Sequence, residues 1–87
     1  MSVGHGFSVV LEPQEVGGFT VLVPALPEVV TEGDTREEAL AFAEEAIRAV
    51  LDYRRDHGIP IPSDAKPEIR LITIAADSAW RDVVTQS

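Results

Sequence analysis

The sequence predicts an α+β domain in which a four-stranded sheet is covered on one face by a single long helix. Three short alternating stretches come first, one long amphipathic stretch follows them, and a strongly β-prone run comes last. In this βββαβ order, a right-handed crossover through the helix returns strand four beside strand one. We therefore expect one domain over residues 1–87 with the sheet order 3-2-1-4.

Apolar side chains that alternate with other residues predict the first three strands, at residues 7–12, 19–23 and 29–32. Gly17 and Gly18 lie between the first two strands and tolerate the positive φ that a hairpin needs. Pro24 and Pro27 predict a corner before strand three, because proline has no backbone donor for a sheet. The side chains expected to face the helix are Phe7, Val9, Leu11, Phe19, Val21 and Val23.

The long amphipathic stretch begins after Thr35, a good N-cap. Its hydroxyl can accept from the amide of Glu38, while the Glu38 carboxylate can reach back to the Thr35 amide. At about 100° per residue, one arc of the helix is apolar and comprises Ala39, Leu40, Ala43, Ala46, Ile47, Val50 and Leu51. This arc predicts the face that packs on the sheet, and Gly58 suits the position just after the helix end.

Residues 59–66 predict a proline-bearing connector and residues 69–75 (IRLITIA) a fourth strand. We expect residues 1–6 to be flexible and residues 77–87 to form a short helix. One helix covers one face of a sheet, so apolar residues on the other face predict an interface. The candidate interface residues are Val10, Leu22, Ile72, Ile74 and Trp80. The alternatives are scattered surface aliphatics at Val10 and Leu22, and core closure by Trp80.

The amino-acid composition limits which classes of partner and binding site we expect. A chain of 87 residues with 45% hydrophobic content leaves apolar surface uncovered, which predicts a homo-oligomer, either a dimer or a tetramer. A net charge of −8 argues against direct nucleic-acid binding and favours a basic partner. With no cysteine, no disulfide or thiolate metal site forms. Neither a membrane span nor a signal peptide is recognisable, so we expect a cytoplasmic protein.

Several ordered motifs resemble the HicB family of antitoxins. They are VVLEP at residues 9–13, GGF at 17–19, VPALP at 23–27, VTEGDT at 30–35, EEA at 37–39 and GIPIP at 58–62. The similarity extends over residues 7–74. It implies a partial RNase H-like fold, oligomerisation, and the binding and inhibition of a small HicA-type toxin that cleaves RNA. The acidic charge then acquires a purpose, because a protein that grips RNA is expected to present basic surface.

The chain departs from the family pattern in two places. Glu28 and Val29 follow the proline corner where the family typically has Gly-Cys. Family members also commonly carry a C-terminal DNA-binding domain, whereas only residues 77–87 follow strand four here. We therefore expect a solitary domain without that DNA-binding function.

The sequence predicts a non-catalytic binding module with no cofactor, metal or catalytic residue, since no familiar catalytic spacing is present. Charge and position near strand ends suggest Glu12, Glu15, Glu28 and Glu32 as contacts to a basic toxin. One alternative is a degenerate metal-dependent nuclease that uses carboxylates such as Glu12. Another is a solitary oligomeric domain with no toxin partner.

Overall fold

The computed structural model describes residues 4–75, where three strands precede one helix. The strands are β1 (Val10–Pro13), β2 (Phe19–Leu22) and β3 (Val30–Gly33), and the helix is α1 (Arg36–Asp56). They form an antiparallel sheet in the order β1-β2-β3, and α1 packs across β2 and β3. The α+β class, the single long helix and the 3-2-1 part of the predicted sheet order are confirmed.

The β1–β2 hairpin depends on two glycines. Gly17 and Gly18 have φ of +98° and +85°, a backbone region that other residues rarely adopt. The amide of Gln14 donates to the Gly18 carbonyl at 3.0 Å, and the amide of Gly17 donates to the Gln14 carbonyl at 3.0 Å. A Cβ at Gly18 would lie 2.7 Å from the carbonyl oxygen of Gly33. The hairpin therefore needs glycine at this position for φ and for space.

The proline corner between β2 and β3 is also part of the core. The amide of Leu26 donates to the Val23 carbonyl, and the amide of Val29 donates to the Leu26 carbonyl, both at 2.9 Å. These two successive turns bring Val23, Leu26 and Val29 inward, where each is at most 2% exposed. Val29, predicted to lie in strand three, precedes β3 and is a core residue instead.

Two buried clusters join the sheet, the corner and the helix. Val21, Ala39 and Ala43 form the first, and the corner residues form the second. The partly buried residues packed around them include most of the predicted sheet and helix faces: Phe7, Val9, Leu11, Phe19, Ala46, Ile47, Val50 and Leu51. The core is therefore small and depends on short side chains where α1 crosses β2.

Both ends of α1 are capped. Thr35 is the N-cap as predicted, and its hydroxyl accepts from the amide of Glu38 at 3.1 Å. The Glu38 carboxylate accepts from the amide of Asp34 at 3.0 Å, one residue before the amide predicted for it. At the other end, the amide of Ile59 donates to the Arg54 carbonyl at 2.7 Å. The amide of Gly58, which has φ of +66°, donates to the Arg55 carbonyl at 3.3 Å. This is a Schellman motif, which satisfies the last carbonyls of the helix.

The chain beyond the helix differs from expectation. Residues 59–75 form neither helix nor strand, so the predicted fourth strand and the final position in the order 3-2-1-4 are not confirmed. The physical reason is that a strand needs a hydrogen-bonded neighbour, and these residues pair with none of the three strands. The predicted helix at residues 77–87, including Trp80, lies outside the described residues. Along residues 4–75, no helix combines the length and apolar character needed to cross a bilayer.

Candidate partner-binding surfaces

The face of the sheet opposite α1 carries two rows of side chains. The strand register places Val10 opposite Leu22 and Leu22 opposite Val30. Because side chains alternate between faces, residues two positions along share this open face. A second row therefore joins Glu12, Thr20 and Glu32, which are also direct register partners. The open face thus presents an aliphatic row beside a row that ends in two carboxylates.

The two carboxylates belong to the predicted contact residues. Glu12 and Glu32 are exposed and lie two strand spacings apart, or about 10 Å. Glu15 is exposed in the adjoining hairpin turn, next to Val16, which is 99% exposed. Within residues 4–75, none of these three glutamates forms an ion pair. Their charges are therefore available to a basic partner.

Glu28, the fourth predicted contact, is placed elsewhere and already has a partner. Its carboxylate accepts from the Arg54 guanidinium at 2.9 Å, and the same guanidinium donates to the Pro60 carbonyl at 3.1 Å. The Arg54 hydrogen bond lowers the pKa of Glu28 below its ordinary value. Arg54 lies in the last turn of α1, whereas Glu32 precedes its first turn. Glu28 therefore joins the corner to the helix end.

The candidate interface residues within the described chain lie in two separate places, the sheet and the segment after the helix. Val10 and Leu22 share the open face and are partly buried, and Val30 beside them is 56% exposed. Ile72 and Ile74 are 81% and 75% exposed in the segment after the helix. The structure does not bring these two pairs together. Strand alternation predicted that Val10 and Leu22 share the face away from the helix, and the register places them there. It also adds Val30, which the sequence analysis does not single out, to the same row.

An apolar groove lies between the start of β1 and α1. It encloses about 380 Å³ and is lined mainly by Phe7, Val9, Leu40, Ala43, Ile47 and Leu51. Leu40 was predicted to be covered but remains 36% exposed. β1 is an edge strand, with β2 on one side and no strand on the other among the described residues. The groove is therefore the part of the helix face that three strands leave uncovered.

One long-range contact ties the connector to this edge. The amide of Ser8 donates to one carboxylate oxygen of Asp64 at 2.8 Å, and the Ser8 hydroxyl donates to the other at 2.6 Å. The hydroxyl contact, followed by the amide contact, lowers the pKa of Asp64 below its ordinary value. No local pattern in the sequence predicts a pair 56 residues apart. The contact holds the connector at the start of the first strand.

The described residues give little support to metal chemistry. Among residues 4–75, no group of three or more histidines, aspartates and glutamates has a metal-binding arrangement. Glu12 and Glu32 share a face, but Asp34 follows β3 in the capped turn before α1. This part of the chain therefore provides no observation that supports the nuclease alternative.

Comparison with known proteins identifies the family. The family model described as the HicB_like antitoxin of bacterial toxin-antitoxin systems matches residues 7–86. The UPF0150 protein Ta0767 of Thermoplasma acidophilum is 41% identical over 63 residues, which cover 72% of this chain and 91% of that protein.

Two antitoxins of Photorhabdus laumondii are also similar. Antitoxin HicB 1 is 43% identical over 58 residues, covering 64% of this chain and 37% of that protein. Antitoxin HicB 2 is 43% identical over 67 residues, covering 72% of this chain and 46% of that protein. The chain thus matches less than half the length of either antitoxin. Since the family model spans nearly all of its residues, the chain belongs to the HicB-like antitoxin family.

Proposed function

We propose that this chain is a non-catalytic antitoxin module that binds and neutralises a small, basic, RNA-cleaving toxin of the HicA type. The observation that carries the proposal is the family match over residues 7–86. The net charge of −8 supports a basic partner, because opposite charges favour and accelerate association. The module acts by occupying the toxin surface that would otherwise meet RNA. We propose that it does so in the cytoplasm.

The open face of the sheet is the proposed toxin-binding surface. Val10, Leu22 and Val30 supply an apolar centre, while Glu12 and Glu32 supply charge at its edge. This arrangement resembles a protein interface, in which an apolar core is flanked by a polar rim. Glu15 extends the acidic rim into the hairpin. We assign Glu28 to the fold, because Arg54 already binds its carboxylate.

The test uses a purified HicA-type toxin from the same genome in an RNA-cleavage assay. We expect the full chain to inhibit cleavage and to bind the toxin less tightly as salt is raised. The double variant Glu12→Lys/Glu32→Lys should weaken binding at least about tenfold, which corresponds to ~1.4 kcal/mol. The matched control Glu45→Lys/Asp56→Lys changes the net charge equally on exposed helix positions and should bind nearly as well as the unaltered chain.

Three results would contradict the proposal. Absence of toxin binding at low salt would favour a solitary oligomeric domain without a toxin. Equal losses in the two double variants would mean that net charge, rather than the open face, governs binding. RNA cleavage by the chain alone with Mg²⁺ or Mn²⁺, abolished by Glu12→Gln, would instead support the nuclease alternative.

The family resemblance also implies a partial RNase H-like fold and a homo-oligomer. We propose that residues 69–75 complete the sheet as a fourth strand beside β1, which would restore the order 3-2-1-4. The nearly continuous apolar side chains of this run support the proposal, because they suit a strand with both faces covered. Pairing with the edge of β1 would give this segment the hydrogen-bonded neighbour that a strand requires.

A further inference from the structure

The free edge of β3 is the second edge of the sheet. Within residues 4–75, no strand lies beyond β3, and β3 itself contains no proline. We propose that the basic toxin binds by adding an extended segment of its own to this edge, as an extra strand beside β3. This inference rests on the proposed function, because it takes the same partner and specifies how that partner docks on the open face.

The hydrogen bonds of the hairpin show which backbone groups of β2 face β1. The amide of Gln14 donates to the Gly18 carbonyl at 3.0 Å. Along an antiparallel strand, the backbone groups of successive residues point alternately to one neighbouring strand and to the other. The residues two and four positions after Gly18 therefore bond to β1, whereas Phe19 and Val21 bond to β3.

The same alternation assigns the backbone groups of β3. Thr31 and Gly33 are the register partners of the two β2 residues that bond to β3, so their amides and carbonyls face β2. The amides and carbonyls of Val30 and Glu32 therefore point away from the sheet. These two residues offer an incoming strand two hydrogen-bond donors and two acceptors.

The opposite edge of the sheet suits a partner less well. By the same alternation, the outward positions of β1 are Leu11 and Pro13, and proline has no amide to donate. The fourth strand proposed for residues 69–75 would also occupy that edge. The β3 edge is therefore the one that keeps a full set of backbone groups for another protein.

The side chains at the β3 edge fit an extended basic segment. Val30 is 56% exposed, and Glu32 is exposed and forms no ion pair among residues 4–75. Both side chains lie on the open face, two positions apart. A strand about 4.8 Å from β3 would place an aliphatic side chain against Val30 and a lysine or arginine against Glu32. We therefore expect the toxin segment to carry an aliphatic and a basic residue two positions apart.

Two aromatic residues border the same edge on the helix side. At about 100° per residue, Phe42 lies about 160° round α1 from Leu40, which lines the groove beside β1. Phe42 is therefore on the β3 side of the helix, and Tyr53, eleven positions later, points in nearly the same direction. Phe42 and Tyr53 are 45% and 57% exposed. An added strand would thus cover apolar surface on its helix side as well as on the open face.

The test measures amide hydrogen exchange by NMR on the full chain, free and bound to the purified HicA-type toxin from the same genome. We expect the amides of Val30 and Glu32 to exchange at least about 100-fold more slowly in the complex. The amides of Thr31 and Gly33 are bonded to β2 in both states and should change much less. The outward amide of Leu11, at the opposite edge, is the second control.

Two substitutions at Val30 separate the backbone contact from the side-chain contact. Val30→Ala shortens the side chain and keeps the amide, whereas Val30→Pro also removes the outward amide without breaking a bond to β2. We expect Val30→Pro to bind the toxin at least about tenfold more weakly than Val30→Ala, or ~1.4 kcal/mol. Circular dichroism verifies folding, and the exchange measurement on the unaltered chain decides the question if the proline variant does not fold.

The outcomes distinguish this inference from the proposed function. Toxin binding without selective protection of Val30 and Glu32 would overturn the inference and leave the proposed function intact. Equal toxin affinities of the two Val30 variants would do the same. Selective protection of Leu11 instead would place the added strand at β1 and would also overturn the inference. Absence of toxin binding would overturn the proposed function and the inference together.

Discussion

Truncation of Leu26 to alanine should destabilise this protein more than any surface truncation. Leu26 is 0% exposed and lies in the corner cluster with Val23 and Val29. Removing three buried carbons at about 0.8 kcal/mol each lowers the free energy of unfolding by about 2.4 kcal/mol. The cavity left behind adds to this loss, within a range of about 2–5 kcal/mol for such substitutions. Half-buried Phe7 and Val9 border the cluster and can partly fill the cavity. We therefore expect the free energy of unfolding to fall by about 3 kcal/mol in total.

Urea unfolding followed by circular dichroism measures the effect at one protein concentration, because association would make stability concentration-dependent. With an m-value of about 1 kcal/mol/M, a loss of ~3 kcal/mol lowers the midpoint by roughly 3 M urea. Val16→Ala is the control, since Val16 is 99% exposed at the hairpin tip. Midpoints that fall equally in the two variants would refute the assignment of Leu26 to the core.

Substitutions at two further sites test the local structure. Gly33→Ala should clearly lower the urea midpoint, because its Cβ would lie 2.5 Å from a backbone nitrogen of α1. Gly6→Ala is the control, since the added Cβ has open space around it. Similar urea midpoints in the two variants would contradict the close approach of Gly33 to the helix. Thr35→Ala should lower the free energy of unfolding by about 1 kcal/mol, and Thr35→Ser should retain most of it, while an equal loss in both would argue against the cap.

Glu28→Gln tests the link to Arg54 through pH. A carboxyl whose folded pKa is lowered stabilises the fold above its unfolded value of 4.5, and this contribution is lost as pH falls through the folded pKa. The variant should therefore be less stable than the unaltered chain near pH 7, and the difference should shrink as pH falls through the folded pKa of Glu28. A difference that persists in acid would show that the charge of Glu28 is not responsible.

The sequence predicted only part of the proposed binding surfaces. Alternation along the strands predicted that Val10 and Leu22 share the face away from the helix, and charge selected Glu12 and Glu32. The register then joined these residues in rows, which required knowing how the strands pair. Glu28 looked equivalent by charge, but its use was decided by Arg54, which lies 26 residues away.

Sequence by itself determined the elements whose signals are local. The Thr35 cap, the Gly58 end of α1 and the positive φ of Gly17 and Gly18 all follow from residue chemistry within a few positions. The apolar helix arc likewise predicted which side of α1 meets the sheet.

Tertiary structure decided what depends on distant neighbours. The proline corner became core because its two turns direct Leu26 under the helix. The apolar run at residues 69–75 has the composition of a strand, yet composition cannot supply the neighbouring edge that a strand must pair with. The contact between Ser8 and Asp64 fixes where that run begins relative to its own β1. Local propensity therefore defined the elements, and long-range contacts determined which edges and faces remain open to partners.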